Sequence, residues 1–462
     1  MNDPVLSLVE QVAALLLSNG AMTVAQLQAA TGKSQPSLSL AMSKLGGRVC
    51  KLGAARSTRY ALAQPILGLP ASQALTLTTA HGDLLAFGKL TYLHGQQTHV
   101  RTEQGQEWLT AANKLPWFLE PLRPQGFLGR QLVRLAPHLP SDPDAWTAEQ
   151  VLYMAALHAG DPPGAFNLGT IGGTGLGRVV SDAPSSAVDR AAYYNTLARA
   201  IGSSLPAASS AGGEQPKFVT EIGGKIGGEI DSEVGGAATA HQHVIVKFSP
   251  PRGTPFGERW HDLLHLEHLA LTVLRDHGVP AADTRIIESK ERTYLESQRF
   301  DRIGMRGKRH VVAATSVHEE FVKTPRQNWV ATCAALVGQK LLPPADLTSV
   351  ACQYFFGQYI GNTDMHFGNL SFFVDDVSRP NFTVTPAYDM LPMMWRPGVH
   401  TGELYADPIR PQLQLAGFAQ EANAARDWAI DYWERAAQLE ALSGPLLDAS
   451  RANIDRLKSN FA

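Results

Sequence analysis

Cysteine is scarce in this chain: Cys50, Cys333 and Cys352 are the only three among 462 residues. An odd number, so widely spaced, excludes a disulfide framework and points to a reducing compartment. Charge is sparse too. Charged residues make up 18%, below the usual figure of about 25%, which excludes disorder driven by charge. Neither sign dominates, because 40 Lys and Arg face 42 Asp and Glu for a net charge of −2. A uniformly basic nucleic-acid binder is therefore excluded, and only a local basic patch stays open. The longest apolar stretch near the start, Val5 to Leu17, is interrupted by Glu10 and Gln11. It is too short for a bilayer and has neither a basic flank nor a small-residue cleavage site. Internal repeats, heptad runs and the Gly-x-x-x-x-Gly-Lys-Ser/Thr phosphate loop are also missing. What is present suffices for a globular protein: 44% apolar residues, in a chain long enough for roughly three domains. A soluble, cytoplasmic protein with no membrane partner is expected.

The first 66 residues read as a winged helix-turn-helix. Apolar residues at Leu6, Val9, Val12, Ala13 and Leu16 have helical spacing, and Asn19-Gly20 ends that helix. Thr23 caps a second helix to Ala30, Thr31-Gly32 forms the turn, and a third helix follows from about Ser34 to Leu45. Arg48 to Leu52 and Arg59 to Leu62 read as a hairpin wing. If this module meets DNA, the third helix enters the major groove while Lys51, Arg56 and Arg59 touch phosphates. That helix carries only Lys33 and Lys44 as charges, so a packing or dimerisation module is the competing reading.

Residues 67–160 read as a small α/β subdomain, 161–325 as a β-rich lobe and 326–462 as a helical lobe. Glycine concentrates in three places. Gly169 to Gly177 lacks the strand–helix frame of a dinucleotide fingerprint and reads as a turn between strands. Gly223 to Gly236 reads as the loop of a hairpin whose second strand is His243 to Phe248. The third cluster, Ser209-Ser210-Ala211-Gly212-Gly213-Glu214-Gln215-Pro216-Lys217, precedes a strand.

The sharpest signal is Gly361-Asn362-Thr363-Asp364-Met365-His366-Phe367-Gly368-Asn369, between an apolar helix and the strand Leu370 to Val374. Asp364 and Asn369 have the spacing of the kinase catalytic loop, in which the Asp reaches a substrate hydroxyl and the Asn a metal ion. Asp389 follows after a second strand, Phe382 to Thr385, where kinases bring another metal-binding carboxylate. Upstream, Lys247 sits in the apolar strand Val244 to Phe248, where an ammonium needs a partner. Glu267, on the helix from about Phe256 to His277, has the place of that partner. His261, His265 and His268 on the same helix do not complete a zincin pattern and read as structural.

Together, the Ser209 to Lys217 run, the strand ending in Lys247, Gln298-Arg299-Phe300-Asp301-Arg302, Asn362 to Asn369 and Ala387-Tyr388-Asp389 resemble the HipA-like serine/threonine kinases, toxins of bacterial toxin–antitoxin systems. The front end resembles the YjjJ (HipH) branch, where a DNA-binding-type domain is fused to the kinase. The resemblance implies an α+β, bilobal protein-kinase-like fold with a β-rich N-lobe and a mostly helical C-lobe, preceded by the winged helix-turn-helix. It implies Asp364 as the catalytic Asp, Asn369 and Asp389 as Mg2+ ligands, and Gly212, Gly213, Glu214, Gln215, Lys217 and Lys247 on the ATP phosphates. Glu267 then pairs with Lys247, Gln298, Arg299 and Phe300 lie at the adenine hinge, and His366 and Tyr388 line the nucleotide site. Ser210, with adjacent Ser209 as runner-up, matches a serine that such kinases autophosphorylate. The family's protein targets are aminoacyl-tRNA synthetases and its antitoxin is usually a separate DNA-binding protein. A transcription regulator with a kinase-like sensor, and a small-molecule kinase, remain the other readings of the same residues.

Overall fold

The computed structural model describes residues 7–158, 161–169, 187–204, 215–223, 241–398, 409 and 417–459. The chain divides into two compact units: Met1–Thr79 with Asp83–Gln125 and Gly129–Arg178, and Val179–Ala462 with Ala80–Gly82 and Gly126–Leu128.

In the first unit, capping fixes the helix starts. Ser7 and Glu10 form a capping box on α1 (Leu8–Asn19), Thr23 and Gln26 another on α2 (Val24–Thr31), and Ser34 caps α3 (Gln35–Leu45). Val12, Leu16, Leu27, Leu38, Ala41, Leu45 and Leu62 form a common core, leaving Gln35, Ser39, Leu40, Ser43 and Lys44 of α3 exposed. The antiparallel hairpin β1 (Val49–Leu52) and β2 (Arg59–Leu62) follows. Leu52 and Ala61 of this hairpin pack on Leu93 of the next sheet. That sheet contains β3 (Ser72–Thr78), β4 (Leu84–Leu93), β5 (Gln97–Thr102), β6 (Glu107–Leu109) and β7 (Phe166–Leu168), in the order β6-β5-β4-β3-β7. Every pairing in it is antiparallel. The helices α4 (Gly126–Leu132) and α5 (Ala148–Leu157) lie between β6 and β7 in sequence.

The second unit opens with α6 (Ala187–Ser204), then β8 (Lys217–Gly223), β9 (His241–Phe248), α7 (Pro255–Asp276), β10 (Thr284–Glu288) and β11 (Thr293–Gln298). The strands form one antiparallel sheet, β10-β11-β9-β8. Val244, Val246 and Phe248 face Tyr194 and Ala198 of α6. Strand alternation turns Lys247 to the opposite face, where it meets α7. The short hairpin β12 (Arg302–Ile303) and β13 (Gly307–Lys308) leads to β14 (Val311–Ala313), α8 (Ala314–Val317), α9 (Trp329–Gly338) and α10 (Pro344–Ile360). β15 (Ser371–Val374) and β16 (Phe382–Val384) complete an antiparallel β14-β15-β16 sheet. α11 (Ala419–Ala436) and α12 (Gly444–Ser459) close the unit, with Trp433 of α11 buried edge-on against Trp395. No helix among the described residues is long and apolar enough to cross a membrane.

Candidate active site

The site is built from β9 and α7 on one side and the loops flanking β15–β16 on the other. Lys247 projects from the penultimate position of β9, one residue before its end at Phe248, almost fully buried, into two carboxylates. Its Nζ donates to Glu267 Oε1 at 2.5 Å and to Asp389 Oδ1. Burial works against the ammonium, but the attraction of Asp389 and Glu267 outweighs it and holds Lys247 above its ordinary pKa. Burial likewise opposes the Asp389 carboxylate, and Lys247, followed by Lys217, overcomes it, leaving Asp389 well below the usual range. Glu267 is the carboxylate that burial pushes up despite Lys247. Asp389 also holds a left-handed backbone, φ +52°, a conformation rare outside glycine and concentrated at functional sites.

The loop carrying Asp364 starts where α10 stops. Gly361 caps that helix in the left-handed region at φ +77°, and a Cβ there would press on Met394 and Trp395 at 2.8 Å. Only glycine fits without a shift. Asn362 is then buried, its Oδ1 accepting the Asp364 N–H at 3.0 Å and its Nδ2 donating to the Asp389 carbonyl at 3.4 Å. From the other side, Asn369 Nδ2 donates to the Asp364 carbonyl at 2.8 Å. The Asp364 peptide is thus gripped at both ends, while its side chain stays 47% exposed.

His366 Nε2 lies 4.0 Å from Asp364 Oδ1. The His366 carbonyl accepts from the Trp329 indole at 3.1 Å. Tyr388 spends its hydroxyl on the loop, donating to the Gly368 carbonyl at 2.8 Å and meeting Ser371 at 2.7 Å. Its ring packs on Phe300 at 5.6 Å between centroids. Asn362, Trp329 and the hydroxyl role of Tyr388 are features that sequence reasoning does not assign. Asn362 lies inside the catalytic-loop motif, and only the fold shows what it holds.

The structure gathers Lys217, Lys247, Glu267, Asp364, His366, Asn369, Tyr388 and Asp389 into one linked group. Phe300 joins it through Tyr388. Gln298 is placed on β11 opposite Val244. Arg299 is turned inward, its guanidinium bidentate on Asp301 at 3.0 Å for each bond, so its side chain is committed within the protein. Gln215 is buried with Nε2 unbonded, as is Glu267 Oε2; such orphaned groups need a partner. Ser209, Ser210, Gly212, Gly213 and Glu214, and most of the two other glycine clusters, lie outside the described residues.

Asn369 and Asp389 offer hard oxygen donors, which suit Mg2+. With the Asn369 amide nitrogen engaged by Asp364, its Oδ1 is the atom left for a cation.

The chain matches the family described as HipA-like C-terminal domain over residues 209–456, and the one described as YjjJ-like toxin, middle domain, over residues 69–172. The chain belongs to the HipA-like family. Among individual proteins, it is 32% identical over 430 residues to Toxin YjjJ of Escherichia coli (strain K12), covering 92% of each chain. It also shares the fold of a Shewanella oneidensis MR-1 chain solved in the complex of HipA, HipB and their operator DNA. That match has a TM-score of 0.53 at 16% identity and covers 84% of this chain and 96% of that one.

Proposed function

We infer that this protein is an ATP- and Mg2+-dependent serine/threonine protein kinase that acts as a growth-inhibiting toxin, its bilobal kinase-like region preceded by a winged helix-turn-helix in residues 1–66. The observation that carries this reading is Lys247, held between Glu267 of α7 and Asp389 while Asn362 ties Asp389 to the Asp364 loop. A ligand sensor needs no exposed carboxylate beside such a clamp. Asp364 orients the substrate hydroxyl and accepts its proton. Lys247, kept charged, faces the nucleotide phosphates, and Glu267 fixes its direction. Asn369 and the ionised Asp389 would hold Mg2+, which neutralises phosphate charge when bound. Gln215 and Lys217, beside and at the start of β8, serve the ATP phosphates together with Gly212, Gly213 and Glu214 just before them in sequence. The backbone at Gln298 to Phe300 serves the adenine, and Phe300, Tyr388 and His366 border the nucleotide.

Phosphorylation of Ser210, or of Ser209 beside it, would add about −1.5 to −2 charges where the nucleotide's phosphates bind, which makes it an off-switch. The protein substrate is of the aminoacyl-tRNA synthetase kind, DNA is the partner of residues 1–66, a separate antitoxin is a further partner, and the cytoplasm is the setting. Incubation with labelled ATP, Mg2+ and a cell lysate tests the reading. Labelled proteins and a phosphate on Ser210 or Ser209 are expected, both absent with Asp364→Ala. Labelling that persists in the Asp364→Ala protein would remove Asp364 from the chemistry.

A further inference from the structure

Away from the Lys247 site, the N-terminal half of α7 presents His261 and His265, one turn apart, to Glu288 at the end of β10. One ligand atom from each of the three lies within 4.8 Å of the others. We propose that His261, His265 and Glu288 form a zinc-binding site, separate from the Mg2+ positions, in which the guanidinium of Arg252 acts as a built-in competitor for the metal.

The hydrogen bonds of His261 fix its tautomer. His261 Nε2 donates to the Ala441 carbonyl at 3.0 Å, so in the neutral ring Nδ1 carries the lone pair, which meets the Thr293 hydroxyl at 2.5 Å and has a Glu288 oxygen 3.8 Å away. A ring nitrogen whose opposite N–H is anchored to a carbonyl is the usual arrangement of a metal-bound histidine. His265 Nε2 already lies 2.8 Å from Glu288 Oε1. Two imidazoles and one carboxylate suit Zn2+, with a fourth position left for water, and do not suit Mg2+.

A cation already reaches this point. One Arg252 nitrogen contacts His261 Nδ1 at 2.9 Å and Thr293 Oγ1 at 3.2 Å, and pairs with Glu288. Yet Arg252 Nε is buried with no hydrogen bond, so the guanidinium fits incompletely. It sits on the loop between β9 and α7 and is one-third exposed, which gives it a way out. The helix spacing alone offers two ligands; the third comes from a different element and is brought there only by folding.

The test is equilibrium dialysis of the metal-free, full-length protein against Zn2+, with Co2+ absorption reporting nitrogen and oxygen ligation. One Zn2+ per chain is expected. His265→Ala and Glu288→Gln should each weaken binding at least about tenfold; Glu288 is partly exposed, so its amide variant should fold. Arg252→Ala should tighten binding about tenfold by removing the competitor, the opposite of what loss of a merely structural arginine would do. Asp389→Asn should leave Zn2+ affinity unchanged. The proposal is overturned if Glu288→Gln and His265→Ala bind like the unaltered protein, if Arg252→Ala loosens binding, or if neither the unaltered protein nor Arg252→Ala binds Zn2+.

Discussion

At the scale of single residues, Asn362 shows how little a motif says about its own members. Its two amide atoms join the Asp364 peptide to the Asp389 carbonyl, so its loss frees the backbone at both aspartates at once. Asn362→Asp keeps the acceptor and sets an oxygen against the Asp389 carbonyl, a cost of about 1–3 kcal/mol for a buried unpaired group. Steady-state kinetics should show kcat down roughly 10–100-fold with nucleotide affinity nearly unchanged. An equal loss in both would make Asn362 a general structural residue. His268 makes a prediction about acid. Burial, then the charges of Arg275 and His265, lowers its pKa from 6.5 to about 4, and it meets the Thr284 hydroxyl at 2.8 Å. A folded pKa below the unfolded one means its stability contribution is present above pH 6.5 and is lost as pH falls towards 4. The loss reaches at most ~3 kcal/mol, and thermal melts across that window should show a shallower fall for His268→Gln.

At the scale of elements, the parts legible in sequence are those governed by local pattern. The β8–β9 hairpin, α7, α10 and the β15–β16 hairpin follow from periodicity and glycine punctuation; Lys247 and Glu267 lie on β9 and α7, and Asp364, Asn369 and Asp389 on the loops that flank β15–β16, at readable spacings. What sequence does not show is long-range. Pairing of β7 with β3 brings Phe166 to Leu77 across the rest of the subdomain, and no local signal announces it. The same holds for α6, whose buried Arg190 pairs with Glu296 of β11 at 3.0 Å and donates to the Gly223 carbonyl at 2.8 Å, while Tyr194 donates to Glu296 at 2.7 Å. Neither Arg190 nor Glu296 stands in a motif. Arg190→Met leaves the Glu296 carboxylate buried without its cation, which costs about 3–5 kcal/mol. Adding Glu296→Gln should restore most of that in urea unfolding. If Arg190→Met unfolds like the unaltered protein, this pair does not fasten α6 to the sheet.

At the scale of the whole molecule, charge limits the ways in which the N-terminal helices and hairpin would bind DNA. A net charge of −2 gives DNA no general attraction, so any affinity must come from a local patch. Lys51, Arg56 and Arg59 are each exposed on the β1–β2 hairpin and its connecting turn. The exposed face of α3 carries Gln35, Ser39 and Ser43 with a single cation, Lys44. That face suits hydrogen bonding to base edges in the major groove better than neutralising phosphates. The division of labour is testable because base-edge and phosphate recognition respond differently to salt. Neutralising a phosphate releases counterions, so affinity falls with rising salt in proportion to the number of phosphates engaged. Replacing Lys51, Arg56 and Arg59 together by alanine should weaken binding on all sequences. It should also flatten the salt dependence by about one unit of log–log slope for each phosphate no longer neutralised. Gln35→Ala with Ser39→Ala should leave the slope intact and reduce only the preference among sequences. Full-length protein that binds no DNA at low salt, or a triple variant with an unchanged slope, would instead assign the hairpin to holding the β3–β7 sheet, on which Leu52 and Ala61 already pack through Leu93.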